Sequence, residues 1–224
     1  MKRYRTWKVG AFLRGMLLSG LVSSGVWGAT PFLVKDITTG PVDASEYVYP
    51  CPVHMASING LLFFAGWDAH NGAELWCSDG TAAGTRLFRD LYPGPQGSSP
   101  HSLMPFNGFL YFSAHTSYGR VLWKSDGTPE GTDVVVNAHM EMMPGERLEW
   151  ADMGAYFFFR GFTFGEGEEL WRSDGTAAGT RMVKDMFPGM WGRMPNSSSP
   201  RDYLRLGNRL LFGAATSLTG GPKP

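Results

Sequence analysis

Residues 74–85 read Glu-Leu-Trp-Cys-Ser-Asp-Gly-Thr-Ala-Ala-Gly-Thr, and a closely related twelve-residue pattern returns at 121–132 and at 169–180. The central residues of the three copies, Trp76, Trp123 and Trp171, are separated by 47 and then by 48 residues. A fixed spacing of this length is the signature of a repeat protein. The sequence is therefore organised in repeated units of about 47 residues.

The similarity between the units extends beyond the tryptophan on both sides. A glycine stands four residues before each tryptophan, and an aromatic or apolar stretch lies further upstream, at 61–64, 109–112, 156–159 and, a fourth time, 209–212. Downstream, closing stretches at 86–90 and 181–185 end in Asp and are followed by a Pro-Gly turn. Each unit thus predicts three or four short strands, because Asp-Gly pairs favour the turns that join antiparallel strands.

We predict an all-β fold, specifically a β-propeller-like array of antiparallel blades of about 47 residues, with three complete units plus partial ends. The repeat domain spans 29–215, with units at roughly 52–98, 99–145 and 146–198, a partial unit at 199–215, an orphan closing strand at 31–37 and a flexible tail at 216–224. The recurring residues are interpreted as structural anchors that pack between blades or cap turns: Trp76, Asp79, Gly80, Trp123, Asp126, Gly127, Trp171, Asp174 and Gly175.

The registered motif resembles that of the bacterial ELWxxDGT repeat family, over almost the whole chain from Phe32 to about Ala215. The resemblance implies an exported or surface-associated repeat protein with a propeller-like fold, and it transfers no catalytic residue. The second unit departs from the pattern, since Val121 stands where the other units have Glu, and its closing stretch 134–137 lacks the Lys-Asp ending.

The first 28 residues predict a signal peptide that is cleaved after Gly28. They contain five basic residues, no acidic one and an apolar run at 16–27 that is too short to span a bilayer. Removing five of the 20 basic residues leaves 15 against 20 acidic ones, so the mature chain carries a charge of about −5. This balance argues against a nucleic-acid binder. We expect a secreted or cell-envelope protein, in the periplasm or on the outer surface, with no stable membrane span after cleavage.

The two cysteines of the chain, Cys51 and Cys77, lie in one unit. An exported chain meets an oxidising compartment, where such a pair can form a disulfide. The alternative is a pair of unpaired buried thiols, and the sequence leaves both open. Two cysteines without further ligands at suitable spacing do not predict a zinc site.

No group of residues in the sequence predicts a catalytic, metal or cofactor site. Calcium at the repeated aspartates is the less favoured interpretation, because each precedes a turn glycine in a separate unit. The five histidines are interpreted as surface residues, and the acidic stretch Glu166, Glu168 and Glu169 as solvent-facing residues of a turn. We expect a non-enzymatic module for binding or for envelope or matrix structure, whose partner is an unknown extracellular protein or glycan. The alternative is an extracellular glycan hydrolase with carboxylates from several blades.

The two partial ends predict self-association. Residues 31–37 resemble a closing strand and 209–215 an opening strand, so together they supply the first and last strands of a blade without its middle. Unpaired strand edges favour pairing with another chain. We therefore expect a truncated or minimal member of a longer array, which is either marginally stable alone or completed by another copy through the end blades. The alternative is a closed four-blade monomer in which the tail at 216–224 covers the gap.

Overall fold

A computed structural model of the chain describes residues 32–37, 53–136 and 150–216. The described residues form strands and turns; they contain no helix, and so none that is long and apolar enough to cross a membrane. The prediction of an all-β fold is therefore confirmed. The predicted signal segment 1–28, Cys51 and nearly all of the predicted tail at 216–224 lie outside the described residues.

Three sheets of four antiparallel strands follow one another, each with its strands in sequence order. The first sheet consists of β1 (Val53–Ile58), β2 (Leu61–Asp68), β3 (Gly72–Ser78) and β4 (Arg86–Arg89). The second consists of β5 (His101–Phe106), β6 (Phe109–Thr116), β7 (Gly119–Ser125) and β8 (Thr132–Val136). The third consists of β9 (Trp150–Asp152), β10 (Phe157–Thr163), β11 (Gly167–Ser173) and β12 (Arg181–Lys184). Two hairpins follow, β13 (Met190–Trp191) with β14 (Met194–Pro195), and β15 (Arg201–Leu206) with β16 (Arg209–Gly213).

The aromatic stretch forms the second strand of each sheet, and the Leu-Trp stretch forms the third. In the first sheet these two strands pair continuously from Leu62 with Ser78 to Asp68 with Gly72. The ladder to the fourth strand is irregular between the Leu and the Trp in all three sheets. The sequence repeat is thus a repeat of backbone geometry as well as of strand order.

The turn between the second and third strands requires glycine. Gly72 has a φ of +68°, and a Cβ atom there would lie 2.4 Å from the carbonyl oxygen of Pro95. At the corresponding Gly167, with a φ of +77°, a Cβ atom would lie 2.1 Å from the carbonyl oxygen of Asn196. Both glycines therefore allow the loop that leaves the sheet to pass directly against the turn.

Consecutive sheets pack face to face through apolar side chains. Trp123 lies between the first and second sheets, in a cluster with Phe63, Phe88 and Phe112. Trp171 lies in the corresponding cluster between the second and third sheets. Each sheet is apolar on both faces, which a solitary sheet could not bury from water. Stacking in chain order is the arrangement that buries them.

The segment 32–37 packs on the free face of the first sheet. Ile37 contacts Phe64 and Trp76 there, and Lys35 Nζ donates a hydrogen bond to Thr85 O (2.7 Å). One unit later, Arg89 of β4 donates to the carbonyl oxygen of Thr132 in the same way. Residues 32–37 thus occupy, on the first sheet, the place that β4 occupies on the second.

Candidate functional site

The repeated aspartates act on their own turns. Asp79 Oδ1 accepts hydrogen bonds from the amide and the hydroxyl of Thr81, at 2.8 and 2.7 Å. Asp126 and Asp174 make the same pair of bonds, to Thr128 and Thr176. These bonds from Thr hold the pKa of each aspartate below its usual value, because they stabilise the charged form. The three carboxylates are therefore occupied in closing turns.

The rest of the motif closes the same turn. Ser78 Oγ and Thr85 Oγ1 lie 2.7 Å apart in the interior, and Ser78 Oγ also accepts from the amide of Gly80, whose φ is +90°. A Cβ atom at Gly84 would lie 2.0 Å from Asp79 Oδ1. Gly127 and Gly175 also have positive φ, as the Asp-Gly turns require. The recurrence of Ser-Asp-Gly-Thr-x-x-Gly-Thr follows from this hydrogen-bonded turn.

The glutamate of the motif is a buried link to the next unit. Glu74 is fully buried and accepts hydrogen bonds from the amides of Leu91, Tyr92 and Ser98 and from the Ser98 hydroxyl. Burial raises the pKa of Glu74, and these four hydrogen bonds oppose that shift. The interpretation of Glu169 as solvent-facing is wrong, because it too is fully buried, by the loop ending at Ser198.

A buried arginine flanked by histidines distinguishes the second unit from its neighbours. Arg120 is 6% exposed, and its Nη1 donates to Ser99 O (2.8 Å) and lies 3.2 Å from His101 Nδ1. The ring of His101 lies 4.6 Å from that of His54, and His115 is the strand partner of Arg120. The interpretation of these histidines as surface residues is wrong, because His54, His101 and His115 are all half-buried.

Arg120 lacks the partner that a buried charge usually has. Within the described residues no carboxylate pairs with it, and its hydrogen bonds all use Nη1. At the corresponding position of the third unit stands Glu168, which pairs with Arg160 at 3.8 Å. Burial lowers the pKa of Arg120 to about 10, so its side chain remains charged at neutral pH. Nε and Nη2 of Arg120 thus retain donors for a further acceptor.

Acidification should destabilise the chain partly through His115. Burial, followed by the charges of Arg120 and His101, lowers the pKa of His115 to about 4. The unfolded chain, with a histidine pKa near 6.5, takes up this proton first, so stability is lost as the pH falls from 6.5 towards 4. We expect His115→Gln to recover about 1 kcal/mol of the loss, a figure discounted for partial exposure. Urea unfolding at pH 7.0 and pH 4.5 measures it.

The matched control for this experiment is His70→Gln, which changes an exposed histidine of the first unit. Its unfolding free energy should follow that of the unmodified chain at both pH values. If the free energy of unfolding falls by the same amount between pH 7.0 and pH 4.5 in the unmodified chain and in His115→Gln, His115 does not contribute to the acid destabilisation.

An inserted hairpin after β12 is exposed to solvent. The loop after β12 carries five more residues than the loop after β4, between the shared Pro-Gly and Ser-Ser-Pro sequences, and the extra residues form β13 and β14. Trp191 at its tip is 70% exposed, and Met190 and Met194 are also exposed. Unlike the tryptophans of the repeat, Trp191 therefore lies outside the cores. Aligning the two loops reveals this insertion from the sequence.

The predicted disulfide falls partly outside the described residues. Cys77 lies buried in β3, and burial raises the pKa of its thiol. Arg86 Nη1 lies 3.4 Å from its sulfur. Because Cys51 is not among the described residues, the pairing stays a prediction. In the part of the chain that is described, no three His, Cys, Asp or Glu side chains form a metal-binding group.

The fold defines an all-β protein assembled from repeated four-stranded antiparallel sheets. No family model matches the chain, and no curated protein matches it. Among solved structures, the chain is similar to a crystal structure of a puromycin hydrolase mutant complexed with PGG, at 14% identity and a TM-score of 0.38. The match covers 73% of this chain and 25% of that one, so the chain spans about a quarter of that protein. A likeness this weak carries no argument about function.

Proposed function

We propose that the chain is an exported, non-enzymatic, propeller-like repeat module of the cell envelope or the extracellular space, which binds an anionic group of an extracellular protein or glycan at Arg120. The observation that carries the proposal is the buried guanidinium of Arg120, which has no paired carboxylate among the described residues. Guanidinium groups bind carboxylates, sulfates and phosphates through paired N–H donors. Arg120 is therefore the residue best suited to hold such a group.

The contrast between the units supports a binding role at this place. The recurring carboxylates Asp79, Asp126 and Asp174 are bonded within their turns, and Glu74 and Glu169 are bonded to the loops that follow. Each of them has a structural task that explains its recurrence. Arg120 does not recur, since the corresponding residues are Ala73 and Glu168. A feature limited to one unit is typical of a site added to a repeated scaffold.

The arrangement of the sheets supports a propeller-like architecture. Three sheets of four antiparallel strands stack in chain order, and the segment 32–37 occupies the position of a further closing strand. Both features are those expected of propeller blades. Export is proposed from the expected signal segment 1–28.

Thermal unfolding of the mature chain in inorganic phosphate, against chloride at equal ionic strength, tests the anion site. A ligand at ten times its dissociation constant stabilises the folded state by about 1.4 kcal/mol, and we expect Arg120→Gln to abolish this gain. Arg120→Lys, which keeps the charge without the planar donors, should give a smaller gain than the unmodified chain.

Two controls make the result specific. Phosphate also stabilises proteins in general, because it is excluded from their surfaces. Arg181→Gln, which removes an exposed arginine of β12, controls for this effect and should leave the phosphate-induced stabilisation unchanged. An equal phosphate effect in the unmodified chain and in Arg120→Gln would overturn the proposed site. A glycan-hydrolysis screen tests the alternative, and turnover abolished by one Asp or Glu substitution would overturn the non-enzymatic role.

A further inference from the structure

The hairpin of β15 and β16 has the form of the first half of a repeat unit. Leu204 pairs with Leu211 in this hairpin as Met104 pairs with Tyr111 in the second sheet, and both hairpins have a register shift three residues earlier. In each complete sheet the second strand also pairs with a Leu-Trp strand on its other side. Within the described residues, β16 pairs with β15 alone. Its other edge is therefore a row of backbone donors and acceptors suited to another strand.

An apolar side chain of the closing strand lies beside this edge, and in the first two units the next unit covers the corresponding side chain. Phe88 of β4 is 6% exposed because the next unit covers it, and it shares a cluster with Trp123 of that unit. Val135 of β8 packs in the same way against the cluster that contains Trp171. Val183, at the corresponding position of β12, is 48% exposed. The tryptophan of a fourth unit would lie over Val183.

A cation of β12 is also positioned to bind the turn of such a fourth Leu-Trp unit. Lys35 and Arg89 each donate a hydrogen bond to the carbonyl oxygen of the last threonine of the following motif, Thr85 and Thr132. Lys184 holds the corresponding place in β12 and is exposed, and no hydrogen bond or ion pair joins its side-chain ammonium to another described residue. The edge of β16, Val183 and Lys184 thus provide three of the contacts that a Leu-Trp strand and its turn make elsewhere in the chain.

We propose that β16, Val183 and Lys184 form a docking site for an extended Leu-Trp-x-Ser-Asp-Gly-Thr segment of another polypeptide, which adds to the sheet as its third strand. Main-chain hydrogen bonds along β16 supply affinity in this mode of recognition, and the tryptophan over Val183 supplies selectivity. The interface itself identifies the occupant, because the Leu-Trp strands of the first and second units lie against the same three elements, a neighbouring aromatic strand, an apolar side chain and a cation. This site is separate from Arg120 and does not depend on the anion-binding proposal.

A peptide with the sequence of residues 119–132 tests the proposal. It contains the Leu-Trp strand and the complete turn of the second unit but neither cysteine nor the motif glutamate, whose hydrogen bonds need a following loop. With the mature chain we expect saturable binding in fluorescence anisotropy and slower hydrogen exchange at the amides of Arg209–Gly213. The peptide carrying Trp123→Ala should bind about tenfold more weakly or worse, because it lacks the buried aromatic anchor.

Protein variants separate this site from non-specific apolar binding. Val183→Lys should weaken peptide binding about tenfold, and Lys184→Glu should also weaken it. Met55→Lys changes an exposed apolar residue of β1 and should leave binding unchanged. All three positions are exposed, so these variants should fold as the unmodified chain does.

Four outcomes would overturn the proposal. The first is no binding at about 1 mM peptide, and the second is equal binding of the Trp123→Ala peptide. The third is binding that appears only after removal of residues 217–224, which would assign the edge to the chain's own tail. The fourth is a dimer with β16 protected from exchange that the peptide does not dissociate, which would assign the edge to a second copy.

Discussion

Trp123→Ala should lower the free energy of unfolding by about 3 to 5 kcal/mol, the usual cost of removing a buried tryptophan. The indole of Trp123 stacks on Phe112 at an interplanar angle of 10°, and its Nε1 donates to Ala114 O (3.3 Å). It lies in the cluster that joins the first and second sheets, so its loss leaves a cavity at the contact on which their stacking depends. Urea unfolding followed by circular dichroism measures the change.

Trp191→Ala is the control for this prediction, because Trp191 lies exposed at the tip of a hairpin. We expect it to change the unfolding free energy by less than about 0.5 kcal/mol. A loss below about 1 kcal/mol for Trp123→Ala would show that the sheets do not depend on this contact.

The three tryptophans of the repeat should also differ in how well they tolerate phenylalanine. Trp123 Nε1 has a hydrogen-bond acceptor, whereas Nε1 of Trp76 and of Trp171 is buried without a partner. Replacing an unpaired buried donor with a hydrocarbon removes a penalty that partly offsets the lost volume. Trp76→Phe and Trp171→Phe should therefore cost less stability than Trp123→Phe.

The sequence predicts the fold well because its signals are local. The Asp-Gly pairs, the glycine before each Leu-Trp stretch and the apolar runs each specify a turn or a strand from neighbouring residues. The structure has strands at the apolar runs and the Leu-Trp stretches, and turns at the Asp-Gly pairs. The chemical use of charged residues is less predictable, because it depends on segments that are distant in sequence.

Glu169 and Arg120 show this limit. Three nearby acidic residues indicate a solvated turn, and only the loop at Ser198, 29 residues away, shows that Glu169 is buried. Arg120 is one basic residue in a strand, and its contact with Ser99, 21 residues earlier, identifies its environment. Comparison of the units in the sequence does indicate that this place differs in the second unit, since Arg120 replaces Ala73 and Val121 replaces Glu74.

Glu74→Ala should cost about 3 kcal/mol or more, because its partners are neutral donors that lose their acceptor, at about 1 to 3 kcal/mol for each donor that stays buried. The substitution leaves the buried amide of Ser98 and the part-buried amides of Leu91 and Tyr92 without an acceptor. Glu74→Gln keeps the shape of the side chain, but its NH₂ group has to face two of the four donors. We expect it to cost about 1 to 3 kcal/mol. Urea unfolding measures both, and Glu130→Gln, an exposed residue of the second unit, should be neutral.

The glutamate ties the third strand of a unit to the loop that leads into the next, so its loss should loosen that loop before the sheet. We expect Glu74→Gln to speed hydrogen exchange at the amides of Tyr92 and Ser98 while the amides of β2 keep their protection. Glu169→Gln should act in the same way on Met186 and Ser198, because Glu169 accepts hydrogen bonds from the amides of both residues. Uniformly faster exchange over the whole first sheet in Glu74→Gln would contradict a role in the loop, because it would mean that the carboxylate stabilises the sheet itself.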